Sequence, residues 1–407
     1  MFGRVTRRAR IVALAGVLAA TAVATTAGAP AAAADGPGVG SPWVISLGDS
    51  AISGEAGRWA GNTNNSSNNI DAGGSDAYFD NAANTGEQIP GCHRSESAAI
   101  AIGTVNSLNL ACSGAKTFTS GGGSSDFKPG IDFYNTSYGK GQALALQEFA
   151  ATHNVKMVTV MIGANDYGFA DILQTCFLNW YLSPSWWPNY CYDDSAISSR
   201  FTSSNITAKT TAIRGAFLNV RQAMTNAGYT DSQYTIVADT YWSPIPNGSG
   251  NRYSQSGYTR QTVGGCGMWN KDADYANNTI VPAFNTSVKN AASSSGITNI
   301  KVLDFQSSLN GRRLCENTVG LLEEKGVANW TSAGAVDKTE WVNQLRTTST
   351  LIGPYQVQES VHANYWGQLA MRACMRLAYN GGAPRSGNCV RSANGLNAYG
   401  EPNMALQ

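Results

Sequence analysis

Four short segments carry side chains that can do chemistry together. Gly48-Asp49-Ser50 follows the apolar run Trp43-Val44-Ile45-Ser46-Leu47 and leads into Ala51-Ile52-Ser53-Gly54. This reads as a buried strand ending in a tight turn that presents a serine. A serine at the carboxyl end of a parallel strand is well placed to act as a nucleophile. In Asn109-Leu110-Ala111-Cys112-Ser113-Gly114-Ala115, Gly114 stands just past a second strand. A glycine N–H there can approach a ligand closely and donate to an oxyanion. Gly163-Ala164-Asn165-Asp166 places an amide side chain at the end of a third strand, a further donor to the same oxyanion. Glu359-Ser360-Val361-His362 places an imidazole before a last helix, where it can take the proton from Ser50.

Each segment also has an ordinary reading. Gly-Asp-Ser is common in turns, and Gly114 can be a plain turn glycine. Asn165 and Asp166 can cap a turn and a helix, and His362 can simply open its helix. Asp49 is expected to order its own turn through backbone hydrogen bonds. The ordinary reading accounts for any one of the four but poorly for all four, in order, at strand ends. The chain has three histidines, so only His93 and His153 compete with His362 as base. His153 falls at a helix end, where a dipole contact explains it. His93 follows Cys92 and is expected on a disulfide-anchored loop.

The elements that position these groups alternate. Runs at 43–47, 108–111, 156–162, 234–238 and 300–305 look like buried strands of a parallel sheet; 158–162 and 300–304 are rich in β-branched residues and nearly continuous, as strands covered on both faces are. Helical patterns lie at 142–151, through Ile206, Ile213, Phe217, Val220 and Met224 up to Gly228, at 276–292 and at 365–379. Strand–helix alternation implies an α/β fold. Long loop-like insertions at 55–105, 115–140, 174–200, 243–272 and 306–358 would build the rim of a site at the carboxyl ends of the strands.

Residues 1–34 read as a secretory signal peptide. Arg4, Arg7, Arg8 and Arg10 precede an apolar, Ala-rich stretch that ends in Ala32-Ala33-Ala34 before Asp35. No other stretch is long and apolar enough to span a bilayer. Residues 35–407 are then one domain with long loop insertions. Of 28 Lys and Arg, those four leave with the leader, so 24 face 27 Asp and Glu, a net charge of about −3. No polybasic run is present, which argues against a nucleic acid partner. The eight cysteines, an even count in an exported chain, point to disulfides. The simplest pairing is sequential and closes local loops: Cys92 with Cys112, Cys176 with Cys191, Cys266 with Cys315, and Cys374 with Cys389. No C-x-x-C pair exists, which argues against a metal site.

The four segments stand in the order of the SGNH hydrolases, the GDSL esterase/lipase family, and the chain resembles that family from its first strand to its last helix. Ser50, Gly114, Asn165 and His362 match the four name-giving residues. The leader, Cys92-His93-Arg94-Ser95 and Ala111-Cys112-Ser113-Gly114-Ala115 look like those of secreted actinobacterial lipases and phospholipases of the family. The resemblance implies a three-layer α/β/α flavodoxin-like sandwich around a central parallel sheet, and ester hydrolysis without metal or organic cofactor. Ser50 would be the nucleophile and His362 the base. The Ser50 and Gly114 N–H groups and the Asn165 amide would form the oxyanion hole. The family usually has Asp three residues before the histidine; here Glu359 stands there, one methylene longer. Glu359 is expected to hold the imidazole N–H, with a backbone carbonyl as the alternative.

Residues 177–190, between Cys176 and Cys191, are densely aromatic and include Trp186 and Trp187. Trp and Tyr favour lipid–water interfaces. The expected substrate is therefore a lipid acyl ester, aggregated or at a membrane surface, with phospholipase A/B or lysophospholipase activity favoured over triglyceride lipase. The expected protein is a secreted, extracellular monomer. The same aromatics also suit a cluster packed under a disulfide, or sugar stacking in a carbohydrate acetyl or aryl esterase. A non-catalytic lipid- or glycan-binding protein on the same fold is the reading from another class.

Overall fold

The computed structural model describes residues 35–123, 126–345 and 357–407. The expected leader, 1–34, lies outside the described residues. Seven strands form one sheet: β1 (Pro42–Gly48), β2 (Asn106–Asn109), β3 (Asn154–Met161), β4 (Thr235–Asp239), β5 (Ile300–Asp304), β6 (Gly387–Leu396) and β7 (Pro402–Leu406). Their spatial order is β2-β1-β3-β4-β5-β6-β7. All neighbours pair in parallel except β7, which runs antiparallel to β6. Consecutive residues of β1 (Val44 to Leu47) and of β3 (Met157 to Val160) are buried. Burial without alternation means that both faces of the sheet are covered, so the class is α/β.

Six helices matter for the site. They are α1 (Ser50–Ser53), α2 (Gln142–Ala150), α3 (Phe169–Leu182), α4 (Ser203–Asn226), α5 (Val281–Ser294) and α6 (Tyr365–Tyr379). α4 packs between α2 and α5. α6 lies instead against the 96–99 segment, where Arg372 donates to the Glu96 and Ala98 carbonyls. Its sequence specifies both ends. Asn364 caps the start by accepting from Trp366 and Gly367 N–H groups, and Asn380 at φ 48° turns the chain out.

The structure corrects several boundaries. β2 begins and ends two residues earlier than the expected strand, and Asn109 turns its side chain back to accept from the Ala111 N–H. The 276–292 helix divides: a π-helical turn spans Ala276–Ile280 and α5 begins at Val281 with proline in its first turn. The first part of the aromatic 174–200 stretch is not loop but α3, which buries Ile172, Cys176 and Trp180 at a spacing of one turn. β6 and β7 were not expected; both are short of apolar alternation. They are held by the bridge from Cys389 to Cys374 on α6. The four disulfides follow the sequential pairing.

The strand order reverses between β1 and β3, and the crevice at such a switch point is where open α/β sheets bind ligands. Ser50 follows β1 at that edge.

The Cys374–Cys389 bridge closes a loop of 15 residues. Replacing both cysteines with serine should lower unfolding free energy by about 3 kcal/mol, read from urea titrations of residues 35–407. A midpoint unchanged within error would show that β6 and β7 hold to α6 without it.

Candidate active site

Ser50 owes its position to a backbone contact. β1 ends at Gly48, whose φ is +141°, and a Cβ there would lie 1.9 Å from the Met161 carbonyl oxygen of β3. Only glycine fits. The Asp49 N–H then donates to that carbonyl at 3.0 Å. The Gln142 amide brackets Gly48, accepting from its N–H at 2.7 Å and donating to its carbonyl at 2.9 Å. Asp49 caps α1 through the Ala51 N–H at 3.1 Å. Ser50 is thus the first residue of a helical turn, where the N–H has no intrahelical partner.

His362 reaches Ser50 from 312 residues away, with Nε2 at 2.7 Å from the serine Oγ. Nδ1 lies 3.0 Å from the Ser360 carbonyl oxygen. A carbonyl only accepts, so the proton is on Nδ1, and Nε2 accepts from the Ser50 hydroxyl. Between them Val361 sits at φ +63°, a left-handed conformation that is strained for a β-branched residue. Backbone bonds on both sides hold it there: Val361 N–H to Asn343 O at 3.1 Å, and Asn343 N–H to His362 O at 2.8 Å.

The expected Glu359–imidazole bond is not what the structure has. The Glu359 side chain is buried, and its oxygens accept from Trp59 Nε1 at 2.8 Å and from the Tyr78 hydroxyl at 2.6 Å. The Ser360 carbonyl orients the ring instead. The extra methylene of Glu carries the carboxylate to the indole and phenol of the 55–105 insertion.

Of the two remaining oxyanion candidates, Gly114 is not among the residues lining the crevice and Asn165 is, sharing one cavity with Ser50 and His362. Its amide donates to the Ala115 carbonyl at 2.9 Å, which leaves one N–H of the NH2 group. Gly114, at φ +81°, is exposed one residue earlier, and its N–H makes no hydrogen bond among the described residues. Asp166 clasps Thr117, accepting from its N–H at 3.0 Å and its hydroxyl at 2.7 Å. The Cys92–Cys112 bridge and the bond from Ser113 N–H to Cys92 O at 3.0 Å anchor the other side of this loop.

One residue that sequence reasoning missed joins the two sides. The Tyr241 hydroxyl, just past β4, donates to Asp49 at 2.5 Å and accepts from the Ala164 N–H at 3.2 Å. Burial pushes the Asp49 carboxyl up to about 7, against the lowering effect of that hydroxyl. The available signal was only its place after a buried strand. Phe169, Phe284 and Val361 also line the cavity and were not expected there. His153 lies at the end of α2, with Nδ1 2.8 Å from the Phe149 carbonyl. His93 pairs with Glu55 at 2.7 Å. Burial lowers the His362 pKa below its ordinary value, so the imidazole is a neutral acceptor at pH 7. Trp186 and Trp187 lie outside the crevice, 81% and 74% exposed, on the loop after α3.

An activated serine reacts with fluorophosphonates whatever its natural substrate. Such a probe should label Ser50, and His362→Ala should abolish labelling. Glu359→Gln should slow it by less than about tenfold, because the Ser360 carbonyl holds Nδ1. Loss of the orienting carboxylate of a triad costs on the order of 10⁴. A loss of that size in Glu359→Gln would restore the triad.

The sequence matches no family model and no curated protein sequence. Two solved structures are similar in chain trace. An extracellular lipase from Streptomyces rimosus is 18% identical, with 83% of this chain and 98% of that chain covered and a TM-score of 0.44. A phospholipase A1 from Streptomyces albidoflavus NA297 is 15% identical over the same shares, also with a TM-score of 0.44.

Proposed function

We propose that the chain is a serine ester hydrolase of the SGNH type that cleaves acyl esters of lipids. The observation that carries this reading is the 2.7 Å Ser50–His362 contact in the lining of a largely apolar cavity. The crevice holding Ser50 shares Phe169, Pro244, Val281, Phe284 and Val361 with a second, almost wholly apolar cavity under α3. That second cavity continues past Ile172, Leu173 and Cys176. An acetyl group needs no such space, whereas a fatty acyl chain gains about 0.8 kcal/mol for each methylene buried there.

The steps follow from the groups. Ser50 Oγ bonds to the ester carbonyl carbon as its proton passes to His362 Nε2. The oxyanion accepts from the Ser50 and Gly114 N–H groups and from the free N–H of Asn165. His362 gives its proton to the leaving alcohol as the C–O bond breaks, which leaves the acyl chain on Ser50. Water loses a proton to His362 as its oxygen bonds to the acyl carbon; the bond from that carbon to Ser50 Oγ then breaks and His362 returns the proton to Oγ, which releases the acid and restores the serine. The Ser360 carbonyl keeps Nδ1–H in place throughout. The reaction as written uses no metal or organic cofactor.

Trp186 and Trp187, with Leu182 at the end of α3, give an apolar rim for a lipid surface, and Leu182 is 75% exposed. A phospholipid or lysophospholipid is the favoured ester on this reading, the protein being exported after cleavage at Ala34 and acting as a monomer. A carbohydrate acetyl or aryl ester remains the second reading, because exposed Trp side chains also stack on sugars.

The mature protein should show kcat/KM rising with chain length from p-nitrophenyl acetate to the decanoate. Ser50→Ala should be inactive. Ile172→Trp, which fills the cavity, should lose the long-chain preference and keep acetate turnover. Trp186→Ala/Trp187→Ala should lose several-fold activity on phosphatidylcholine vesicles and little on soluble esters. Faster turnover of acetylated xylan than of any lipid ester would favour the carbohydrate reading.

A further inference from the structure

A second set of buried ionisable groups stands behind the histidine. Glu55 is fully buried in the chain just after α1. One of its carboxylate oxygens lies 2.7 Å from His93 Nδ1, and the other accepts from the Gln358 amide at 3.0 Å. The same amide nitrogen is 2.7 Å from Ser113 Oγ and donates to the Gly91 carbonyl at 3.0 Å. Gln358 therefore ties three segments together: the approach to His362, the chain after Ser50 and the loop that carries Gly114.

The charges around this pair come from several elements. Glu87 lies 3.5 Å from His93 Nε2 and accepts from the His93 N–H at 3.0 Å. Tyr78 stacks on the His93 ring at 4.5 Å and donates to Glu359. Lys128, which donates to the Gly91 carbonyl at 2.7 Å, adds a positive charge near Glu55 and Glu87. Arg58, paired with Asp71, adds another near Glu359. Burial works against both partners of the pair. Their mutual contact prevails: Glu55 is held below the usual carboxylate range and His93 above its ordinary value. The contact favours the charged form of each partner. Glu55 favours the imidazolium of His362, and His93 opposes it.

A buried ion pair is a poor source of stability, since packed apolar residues of the same volume do as well. What the charges add here is a field at His362 and a hydrogen-bonded strut. We propose that the Glu55–His93 pair, linked through Gln358 to the His362 segment and to the Gly114 loop, positions His362 and sets its charge balance. These are positioning residues, and the catalytic consequence rests on the esterase reading above.

The test titrates His362 by imidazole NMR in full-length mature protein, which needs no substrate, beside pH profiles of kcat/KM on a soluble p-nitrophenyl ester. Glu55→Gln removes the negative charge while Glu87 and Glu359 still face His93. His362 should titrate about half a pH unit lower or more, and the acid limb of kcat/KM should follow. His93→Gln leaves Glu55 unopposed and should move both in the other direction. Gln358→Ala should lower kcat several-fold with KM nearly unchanged. His362 titrating at one pH in wild type and both charge variants would overturn the proposal, whatever their melting temperatures. If Glu55→Gln fails to fold, His93→Gln reads the same coupling with opposite sign. Opposite NMR shifts with no ester turnover by wild type would uphold the coupling and overturn the esterase reading.

Discussion

At the end of β1 the backbone passes so close to β3 that position 48 has no room for a side chain. The rest of the site depends on that approach. Asp49 closes the ladder onto Met161, and β1 and β3 therefore end at the same level. The turn bearing Ser50 and the turn bearing Asn165 leave the sheet side by side. Gln142 takes up both polar groups of Gly48, so α2 holds the same joint. A shift of β1 by one residue would bring a side chain to the point where Gly48 meets the Met161 carbonyl and would move Ser50 along the sheet edge.

The loops that complete the crevice have little regular structure of their own. Buried polar contacts define them. Tyr241 joins Asp49 to Ala164, Asp166 joins the Asn165 turn to Thr117, and Glu359 joins the histidine segment to Trp59 and Tyr78. A buried polar group without a partner costs more than the bond itself contributes. Each contact thus penalises alternative loop paths more than it stabilises the native one. The strained Val361 persists for the same reason, bracketed by two bonds to Asn343. The apolar space under α3 complements this framework: polar pairs set where Ser50, Asn165 and His362 stand, and an apolar cavity adjoins the crevice that they line.

Much of the fold was legible because burial on both faces leaves a simple mark. The runs that became β1, β3 and β4 are almost continuously apolar in their buried stretches, β5 less so with Lys301 exposed, and α6 carries its caps in its sequence. β6 and β7 were not legible, since a partly exposed pair lacks that mark and is held by a disulfide and an edge. α3 was misread because aromatic density hid the four-residue spacing of Ile172, Cys176 and Trp180.

The sequence by itself singled out three groups that the fold brings to one cavity: a serine in a glycine turn, an amide at a strand end and an imidazole before a helix. Residue type and local pattern suffice for that. Only the tertiary structure decided how the imidazole is held. Glu359 stands at the spacing of an orienting acid, yet its carboxylate belongs to Trp59 and Tyr78, about 300 residues away in the chain. A buried carboxylate goes where the donors are, and no local pattern records donors that only folding brings near.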